Sequence, residues 1–388
     1  MRIVLSKLKE NDKINAENSL SDRFGRVARK LRLSITDRCN MQCIYCMPRD
    51  MEKNDDKFES NNNTNHSTIR KKWLAKDEVL TYEEFSRISR IMAKLGIEKI
   101  RITGGEPLIR PRVEELIAEL SDIRGIKSLS MTTNGVYLAD KADLLKRSGL
   151  QSVNISLDTF KAERFKSICG IDGLQKVLNS IHASENAGLK VKVNTVVVRG
   201  WNDDEVVNFA RFARETGHIV RFIEFMPLDG SGIWLPDLVV SKGEIISRIR
   251  NELCDLQASE SGIAENNGNT ANDDDDYSYE DEGDRRSAPA KIFSFTDGKG
   301  TVGFIPSMTE PFCAQCDRMR ITSDGRLLTC LFENPGHDIR SLLRNGKTDL
   351  EISDYILEST KRKPEGVIGI IRSKALKPTL NLMHTIGG

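Results

Sequence analysis

The chain has 388 residues, more than one ordinary domain needs, so a main domain and a smaller one are expected. Its 58 Lys and Arg against 57 Asp and Glu leave a formal charge of +1, and a mean hydropathy of −0.41 with no apolar stretch near the length of a membrane span argues for a soluble protein. The balance hides an asymmetry: residues 257–288 carry ten acids against two Arg, a local −8, so the remainder carries about +9 and suits an anionic small molecule, although charge alone does not exclude nucleic acid.

Residues 1–30 are polar and basic, with Arg23, Arg26, Arg29 and Lys30 leading into the first strand, and read as an arm. Their start is too short and too charged for a signal peptide, so the cytoplasm is the expected compartment. An apolar, alternating run over 31–36 reads as a strand, and Cys39, Cys43 and Cys46 follow directly. The C-x3-C-x2-C spacing gathers three thiolates on one loop, which suits three corners of a [4Fe–4S] cube and leaves the fourth iron open to a ligand. Zinc also takes clustered thiolates, but a structural zinc wants a fourth Cys or His close by. The next histidine, His66, lies in 52–72, a polar stretch that cannot bury enough apolar surface to order itself. Six of the eight cysteines fall in two such groups, which in a cytosolic chain argues for metal or catalysis rather than disulfides. Cys169 and Cys254 stand alone and read as buried or incidental thiols.

From Thr81 the pattern alternates. Thr81 and Glu84 form a capping box, and Phe85, Ile88, Ile91, Met92 and Leu95 recur at helical spacing up to Gly96. Strands are then expected at 99–103, 128–132, 152–157, 190–198 and 219–225, and helices near 112–121, 140–148, across 161–187 and at 203–216. This alternation predicts a parallel sheet with helices outside it, and functional residues at the C-terminal ends of the strands. The candidates obey that rule: Cys39 follows the first strand, Gly104-Gly105-Glu106 the second and Thr132-Thr133-Asn134-Gly135 the third, while Ser156 ends the fourth and Glu224-Phe225-Met226 the sixth. Paired glycines let backbone amides approach a ligand, and the Glu106 carboxylate can accept from an amine; the plainer reading of the pair is a tight turn.

Beyond 236 the alternation stops. A helix over 242–253 leads into 257–288, read as a disordered acidic insert. Short strands near 292–295 and 301–305 precede a second group, Cys313 and Cys316, completed by Cys330 across a hairpin turning at Asp324-Gly325. Again there are three thiolates, and a remote fourth zinc ligand stays open. Arg318 and Arg320 alternate after Cys316 and so point to one face. Guanidinium forks grip phosphate oxygens bidentately, although a single Arg is more often a solvated surface charge. Arg32, Arg101 and Lys192 lie on separate strands, and none of the five histidines falls in a motif. Two helices and a tail ending in Gly387-Gly388 close the chain.

Cys39, Cys43 and Cys46 with Tyr45 before the third, followed by Gly104-Gly105-Glu106-Pro107, resemble the radical SAM superfamily. Leu31-Arg32-Leu33-Ser34, Arg101-Ile102-Thr103, the run from Arg221 to Met226, Cys313-x2-Cys316-Asp317-Arg318-Met319-Arg320, Cys330 and Gly387-Gly388 resemble the MoaA family within it, the GTP 3′,8-cyclases of molybdenum cofactor biosynthesis. The resemblance covers nearly all the chain apart from the arm, 52–72 and the acidic stretch. It implies an α/β fold: an incomplete (βα)6 TIM-type barrel over 31–235, and a smaller C-terminal α+β domain over 236–388 carrying a second [4Fe–4S] cluster.

The first cluster, on Cys39, Cys43 and Cys46, would bind the amine and carboxylate of S-adenosylmethionine through its open iron. Tyr45, Gly104, Gly105, Glu106, Ser156 and Met226 are implied S-adenosylmethionine contacts. Arg32, Arg101, Thr132, Lys192, Arg318, Met319 and Arg320 are implied GTP contacts. The second cluster, on Cys313, Cys316 and Cys330, would meet the guanine base, and Gly387-Gly388 would reach into the site. A 5′-deoxyadenosyl radical would take the 3′ hydrogen of GTP, and the ribose radical would close onto C8 to give 3′,8-cyclo-7,8-dihydro-GTP. The implied partners are an external one-electron donor and a downstream cyclic pyranopterin synthase; a homodimer is allowed, and neither nucleic acid nor a membrane is implied. Two other readings remain at this point: a radical SAM peptide-modifying enzyme, which usually carries more downstream cysteines, and a zinc-stabilised module binding nucleic acid.

Overall fold

Leu31 and Leu33 of the first strand, β1 (Lys30–Ser34), are buried while Arg32 between them faces the other way, and the same two-residue period runs through the strands that follow. These elements belong to a computed structural model that describes residues 19–47, 73–228, 232–258, 288–367, 369 and 383–387. The expected mobile loop 52–72, nearly all of the acidic insert and Gly388 lie outside the described residues.

After β1 come α1 (Tyr82–Lys94), β2 (Lys99–Thr103), α2 (Val113–Ser121), β3 (Ser128–Thr133), α3 (Ala142–Arg147) and β4 (Ser152–Ser156). Then follow α4 (Ala162–Cys169), α5 (Leu174–Asn186), β5 (Lys190–Val197), α6 (Val206–Thr216) and β6 (Ile219–Glu224). Beyond them lie α7 (Lys242–Glu252), β7 (Leu256–Ala258), β8 (Lys291–Phe295), β9 (Thr301–Ile305), β10 (Arg318–Ile321), β11 (Arg326–Leu328) and β12 (His337–Asp338). The chain ends with α8 (Arg340–Arg344), α9 (Asp349–Lys361) and α10 (Met383–Ile386). The capping box that opens α1 is formed: Thr81 accepts from the Glu84 amide, and Glu84 accepts from the Thr81 amide at 2.7 Å.

Strands β1 to β6 pair in parallel and in sequence, and their apolar faces meet the helices in one core that includes Leu33, Ile102, Met131, Ile155, Val193 and Phe222. The second half of the chain does not build a sheet of its own. Its strands extend the same sheet at both ends, in the order β12-β11-β10-β1-β2-β3-β4-β5-β6-β9-β8-β7. β10 runs parallel to β1, and β9 parallel to β6.

Two segments read as unstructured are partly ordered. Gln257 and Ala258, placed in the acidic insert, end β7 against β8. Residues 19–29 of the arm fold back on themselves, with Ser21 bridged to Val27 and with Leu20 and Ala28 in the core. Apolar residues at the base of a short turn suffice for that. No helix among the described residues is long and apolar enough to cross a membrane.

Candidate functional site

The first cysteine loop is bolted to three strand ends. Gly105 donates to the Thr36 carbonyl at 2.8 Å and Glu106 to the Arg38 carbonyl at 2.8 Å. A Cβ on Gly104, whose φ is +144°, would stand 2.5 Å from the Thr36 oxygen, and one on Gly105 would strike the Arg38 carbonyl. The glycine pair is therefore required by the close passage of the chain that carries the cysteines, and its backbone still lines the cavity. On the other side the amides of Gln42 and Ile44 donate to the carbonyls of Cys169 and Ile168 at the end of α4, at 2.9 and 3.0 Å. Cys169 is thus part of the loop's support and lines the cavity, which its isolated place in the sequence did not signal.

Cys39, Cys43 and Cys46 share one wall of that cavity with Tyr45 and Met41. Burial pushes the Cys39 thiol up to about 12, and burial, then Cys43, raises Cys46 as well, so bare thiolates are disfavoured here and a bound cationic metal would reverse the balance. Among the described residues no three His, Cys, Asp or Glu side chains close around a single ion. Ser156, Met226, Gly104 and Gly105 reach the same cavity.

Glu106 is placed differently from its expected contact with S-adenosylmethionine. It is 1% exposed and its carboxylate accepts from Thr133 Oγ1 (2.7 Å) and from the amides of Asn134 (2.7 Å) and Leu108 (3.0 Å). The side chain stands behind the wall and fixes Asn134, whose amide donates to Asn40 Oδ1 at 2.8 Å and lies 3.8 Å from Cys39 Sγ. Burial raises the Glu106 carboxyl to about 7 against those three donors. Tyr45 donates to Asp158 Oδ2, whose other oxygen accepts from the Val196 amide at 2.8 Å. Burial lifts Asp158 to about 6, with Tyr45 and Val196 pulling it back.

Part of the cavity wall is cationic. In the parallel ladders Arg320 of β10 stands beside Arg32 of β1, and Arg32 beside Arg101 of β2, so three guanidinium side chains occupy one rung across three adjacent strands. Strand spacing is about 4.8 Å, and two like charges about 5 Å apart repel by about 3 kcal/mol at an effective dielectric of 20. Burial lowers Arg32 well below its ordinary value, and Arg320, Arg101, Arg318 and Arg221 lower it further. Burial and then Arg318 bring Arg320 down to about 10. The two acids on the cavity wall do not relieve this: Asp158 accepts as described, and Glu224 accepts from the amides of Met308 and Thr309, each at 2.8 Å. The arrangement calls for a polyanion.

Arg32, Arg101, Thr132, Arg318 and Arg320 all line this cavity. Lys192 does not form part of its wall; it lies on the face of β5 that carries Asn194, two residues short of it. Met319 corrects the expectation drawn from the motif. Between two inward arginines on a strand it must point outward, and it is fully buried in the core with Thr360 Oγ1 4.0 Å from its sulfur. Arg221 was not among the residues expected in the site. It is 7% exposed, donates to Asn194 at 2.9 Å and to Asn154, and lines the cavity. Asn154, Asn194 and Arg221, one polar residue set among mostly apolar neighbours on each of β4, β5 and β6, were the available signal.

The second cysteine group flanks the same cavity, which Phe312, Arg318 and Leu331 reach from its loops. Arg318 stacks over Phe312 at 4.5 Å and its Nη2 lies 3.5 Å from Cys316 Sγ. Burial alone would raise the Cys316 thiol, but Arg318 and Lys363 outweigh it and bring it to about 6, whereas burial pushes Cys330 up to about 11. Within the tail, Ser34 Oγ donates to the Thr385 carbonyl at 2.9 Å and Arg320 to the carbonyls of Ile386 (3.1 Å) and Gly387. His384, which no motif marked, is buried with its ring edge-on to Trp73 at 5.9 Å, and its amide donates to Cys46.

Residues 33–213 match the Radical SAM superfamily, and residues 270–368 match Molybdenum Cofactor Synthesis C. A GTP 3′,8-cyclase of Thermodesulfovibrio yellowstonii is 38% identical over 370 residues, which cover 95% of this chain and all of the relative. One of Listeria monocytogenes is 36% identical over 375 residues, covering 95% and 99%. One of Xanthomonas axonopodis is 36% identical over 335 residues, covering 85% and 88%. Among solved structures, Streptococcus suis SuiB bound to its precursor peptide SuiA aligns with a TM-score of 0.55 at 15% identity, over 95% of this chain and 71% of that one, a likeness of fold alone. Two matched domains in the order the family requires, and identity above one third along nearly the whole chain, leave one conclusion: the chain belongs to the GTP 3′,8-cyclase (MoaA) family of radical SAM enzymes.

Proposed function

We infer that the chain performs its family's reaction, the radical cyclisation of GTP to 3′,8-cyclo-7,8-dihydro-GTP, with two [4Fe–4S] clusters. Cys39, Cys43 and Cys46 would hold the first cluster and Cys313, Cys316 and Cys330 the second, three thiolates leaving an open iron in each. With S-adenosylmethionine bound, the first cluster supplies one-electron cleavage of the sulfonium and the hydrogen-abstracting species that follows. The remaining work belongs to the chain.

Ser156, Met226 and the backbones of Gly104 and Gly105 border S-adenosylmethionine, while the Tyr45 hydroxyl, tied to Asp158, fixes the ring beside the cluster. Glu106 acts at one remove, through Asn134. The rung of Arg320, Arg32 and Arg101 takes the triphosphate together with Arg318 and Arg221, Lys192 extending the field from below. Thr132 borders the nucleotide, and Met319 contributes through its backbone alone. Arg320 also grips the tail through the carbonyls of Ile386 and Gly387, and Gly387 packs against Thr103 of the cavity wall. An external donor would supply two electrons, one for sulfonium cleavage and one that, with a proton, quenches the radical left on the guanine ring after closure onto C8, and the product would pass to a cyclic pyranopterin synthase. In domain terms, 31–235 would bind S-adenosylmethionine and 236–388 would contribute the second cluster.

The observation that carries this reading is the three-arginine rung lining the same cavity as the cysteine loop. The test uses GTP deuterated at C3′ with reduced protein and S-adenosylmethionine under anaerobic conditions. The deuterium should appear in 5′-deoxyadenosine and be missing from the cyclised nucleotide. Unlabelled 5′-deoxyadenosine formed alongside product would refute abstraction at that carbon.

A further inference from the structure

Each cysteine of the second group is held from behind by a charged side chain, two of the three buried. Arg26, in the arm, donates to the Cys313 carbonyl at 2.9 Å and to the carbonyls of Pro364 (2.7 Å) and Glu365 (3.3 Å), and is itself paired to Asp22 at 2.5 Å. Glu333 accepts from the Cys330 amide at 3.3 Å and from Thr329 at 2.6 Å. Lys363, just after α9, is 2% exposed and donates to the carbonyls of Cys316 (2.9 Å) and Arg318 (3.0 Å). Gly366, with φ +104°, packs so closely that a Cβ there would stand 2.7 Å from Cys313 Sγ.

Lys363 is the exceptional member. Arg26 has its carboxylate, but among the described residues no carboxylate lies within ion-pair distance of Lys363. A buried ammonium bound only to carbonyls costs several kcal/mol unless a negative charge lies near it. Three thiolates on a [4Fe–4S] cube would carry net negative charge, and the ammonium of Lys363 sits directly behind Cys316, on its carbonyl. The two carbonyls it grips belong to a cluster thiol residue and to a substrate arginine, with Asp317 between them. The Asp317 carbonyl in turn accepts from the amides of Arg29 and Lys30 at 2.9 and 3.1 Å.

We propose that Lys363 is a positioning residue of the second cysteine group: its ammonium locks Cys316 and Arg318 into one rigid unit and supplies the counter-charge of the cluster held there. This rests on the reading of Cys313, Cys316 and Cys330 as holders of a cluster. Groups that orient metal ligands from behind typically cost 10- to 100-fold in metal affinity or activity when removed.

The test compares wild type, Lys363→Met and Lys363→Arg, reconstituted anaerobically, by iron content, electron paramagnetic resonance and the GTP KM. Wild type should hold about eight irons. The Met variant should retain the first cluster's signal, lose iron and signal from the second, and show a GTP KM raised roughly 10- to 100-fold. The Arg variant, which keeps charge and donors, should recover the signal and most of the affinity. A wild type with only about four irons would overturn the two-cluster reading itself. A wild type with about eight, matched in signal and KM by the Met variant, would overturn the role of Lys363 alone. Should the Met variant not fold, Lys363→Gln keeps one donor without the charge. Its second cluster should then have a more negative reduction potential, and an unchanged potential with unchanged KM overturns the proposal equally.

Discussion

Substituting Ala for Gly387 tests whether the tail must sit where it does. Gly387 has φ +78°, and a Cβ there would overlap the Thr103 Cγ2 methyl, with Thr103 Oγ1 at 3.1 Å. A non-glycine residue in the left-handed region costs about 1 kcal/mol, and forcing a methyl into a packed site costs about 1–3 kcal/mol. Against this stand the burial of Ile386 and hydrogen bonds from Ser34 and Arg320, each bond worth about 1 kcal/mol net. A combined penalty of about 2–4 kcal/mol weakens docking of the tail by roughly 30- to 1,000-fold, since each 1.4 kcal/mol is a factor of ten. Turnover measured as GTP-dependent 5′-deoxyadenosine release should fall at least about tenfold, with iron content unchanged. The geometry also specifies the rescue. Thr103→Ser removes the offending methyl and keeps the hydroxyl, so the double variant should regain the packing share and retain only the backbone cost, roughly a fivefold deficit. Wild-type turnover in Gly387→Ala, or no recovery in the double variant, would refute the reasoning.

Arg221→Ala removes a buried guanidinium from the triphosphate wall; charge-assisted hydrogen bonds contribute about 1.5–3 kcal/mol, so steady-state kinetics should show a GTP KM raised roughly 10- to 150-fold. Glu106 makes stability depend on pH: with its folded value raised to about 7, the native state holds a proton that the unfolded state has released, so its contribution is present in full below the unfolded value near 4.5 and is lost as pH rises through 7. Melting followed anaerobically between pH 5 and 8 should decline with pH in wild type, and Glu106→Gln should flatten that slope even while lowering overall stability. Tyr45→Phe leaves Asp158 without its side-chain donor while keeping the ring; denaturant titration should report a loss of about 1–3 kcal/mol, and an unchanged midpoint would show that the pair contributes nothing.

The six parallel strands were readable because apolar residues alternate along them, amphipathic helices separate them, and Gly96, Gly125, Gly149, Gly188 and Gly217 mark the joins before β2 to β6. Thus β2 was expected at the bounds it has, and the helix capped by Thr81 begins one residue after it. Pairings between distant segments leave no such mark. Nothing around Arg318 announces that β10 lies beside β1, and the rung of arginines exists only through that register. Met319 shows the complementary error, in which adjacency within a motif was taken for adjacency to a ligand although strand alternation already sent it outward. Arg221, Asn194 and Asn154 were passed over because polar residues at alternate positions of a strand ordinarily face solvent. In a sheet that wraps a cavity, the same pattern marks the functional face.

The way the second half joins the sheet explains why the cationic lining of the cavity comes from both halves of the chain. A loop would place Arg318 and Arg320 only as well as its own packing allows. A parallel ladder fixes them against Arg32 and Arg101 through backbone hydrogen bonds at every other residue. Repulsion within that rung is thereby stored in a frame that cannot spread to relieve it, and a bound triphosphate is what lowers its energy. The tail follows the same logic. Arg320 donates to the carbonyls of Ile386 and Gly387, so the cation proposed to meet phosphate also holds the tail in place, and replacing Arg320 by Lys, a single ammonium without the planar fork, should loosen nucleotide and tail together. Proteolytic sensitivity of the C-terminus and the GTP KM should therefore rise in parallel in that variant; a rise in one without the other would separate two roles that the structure joins in a single side chain.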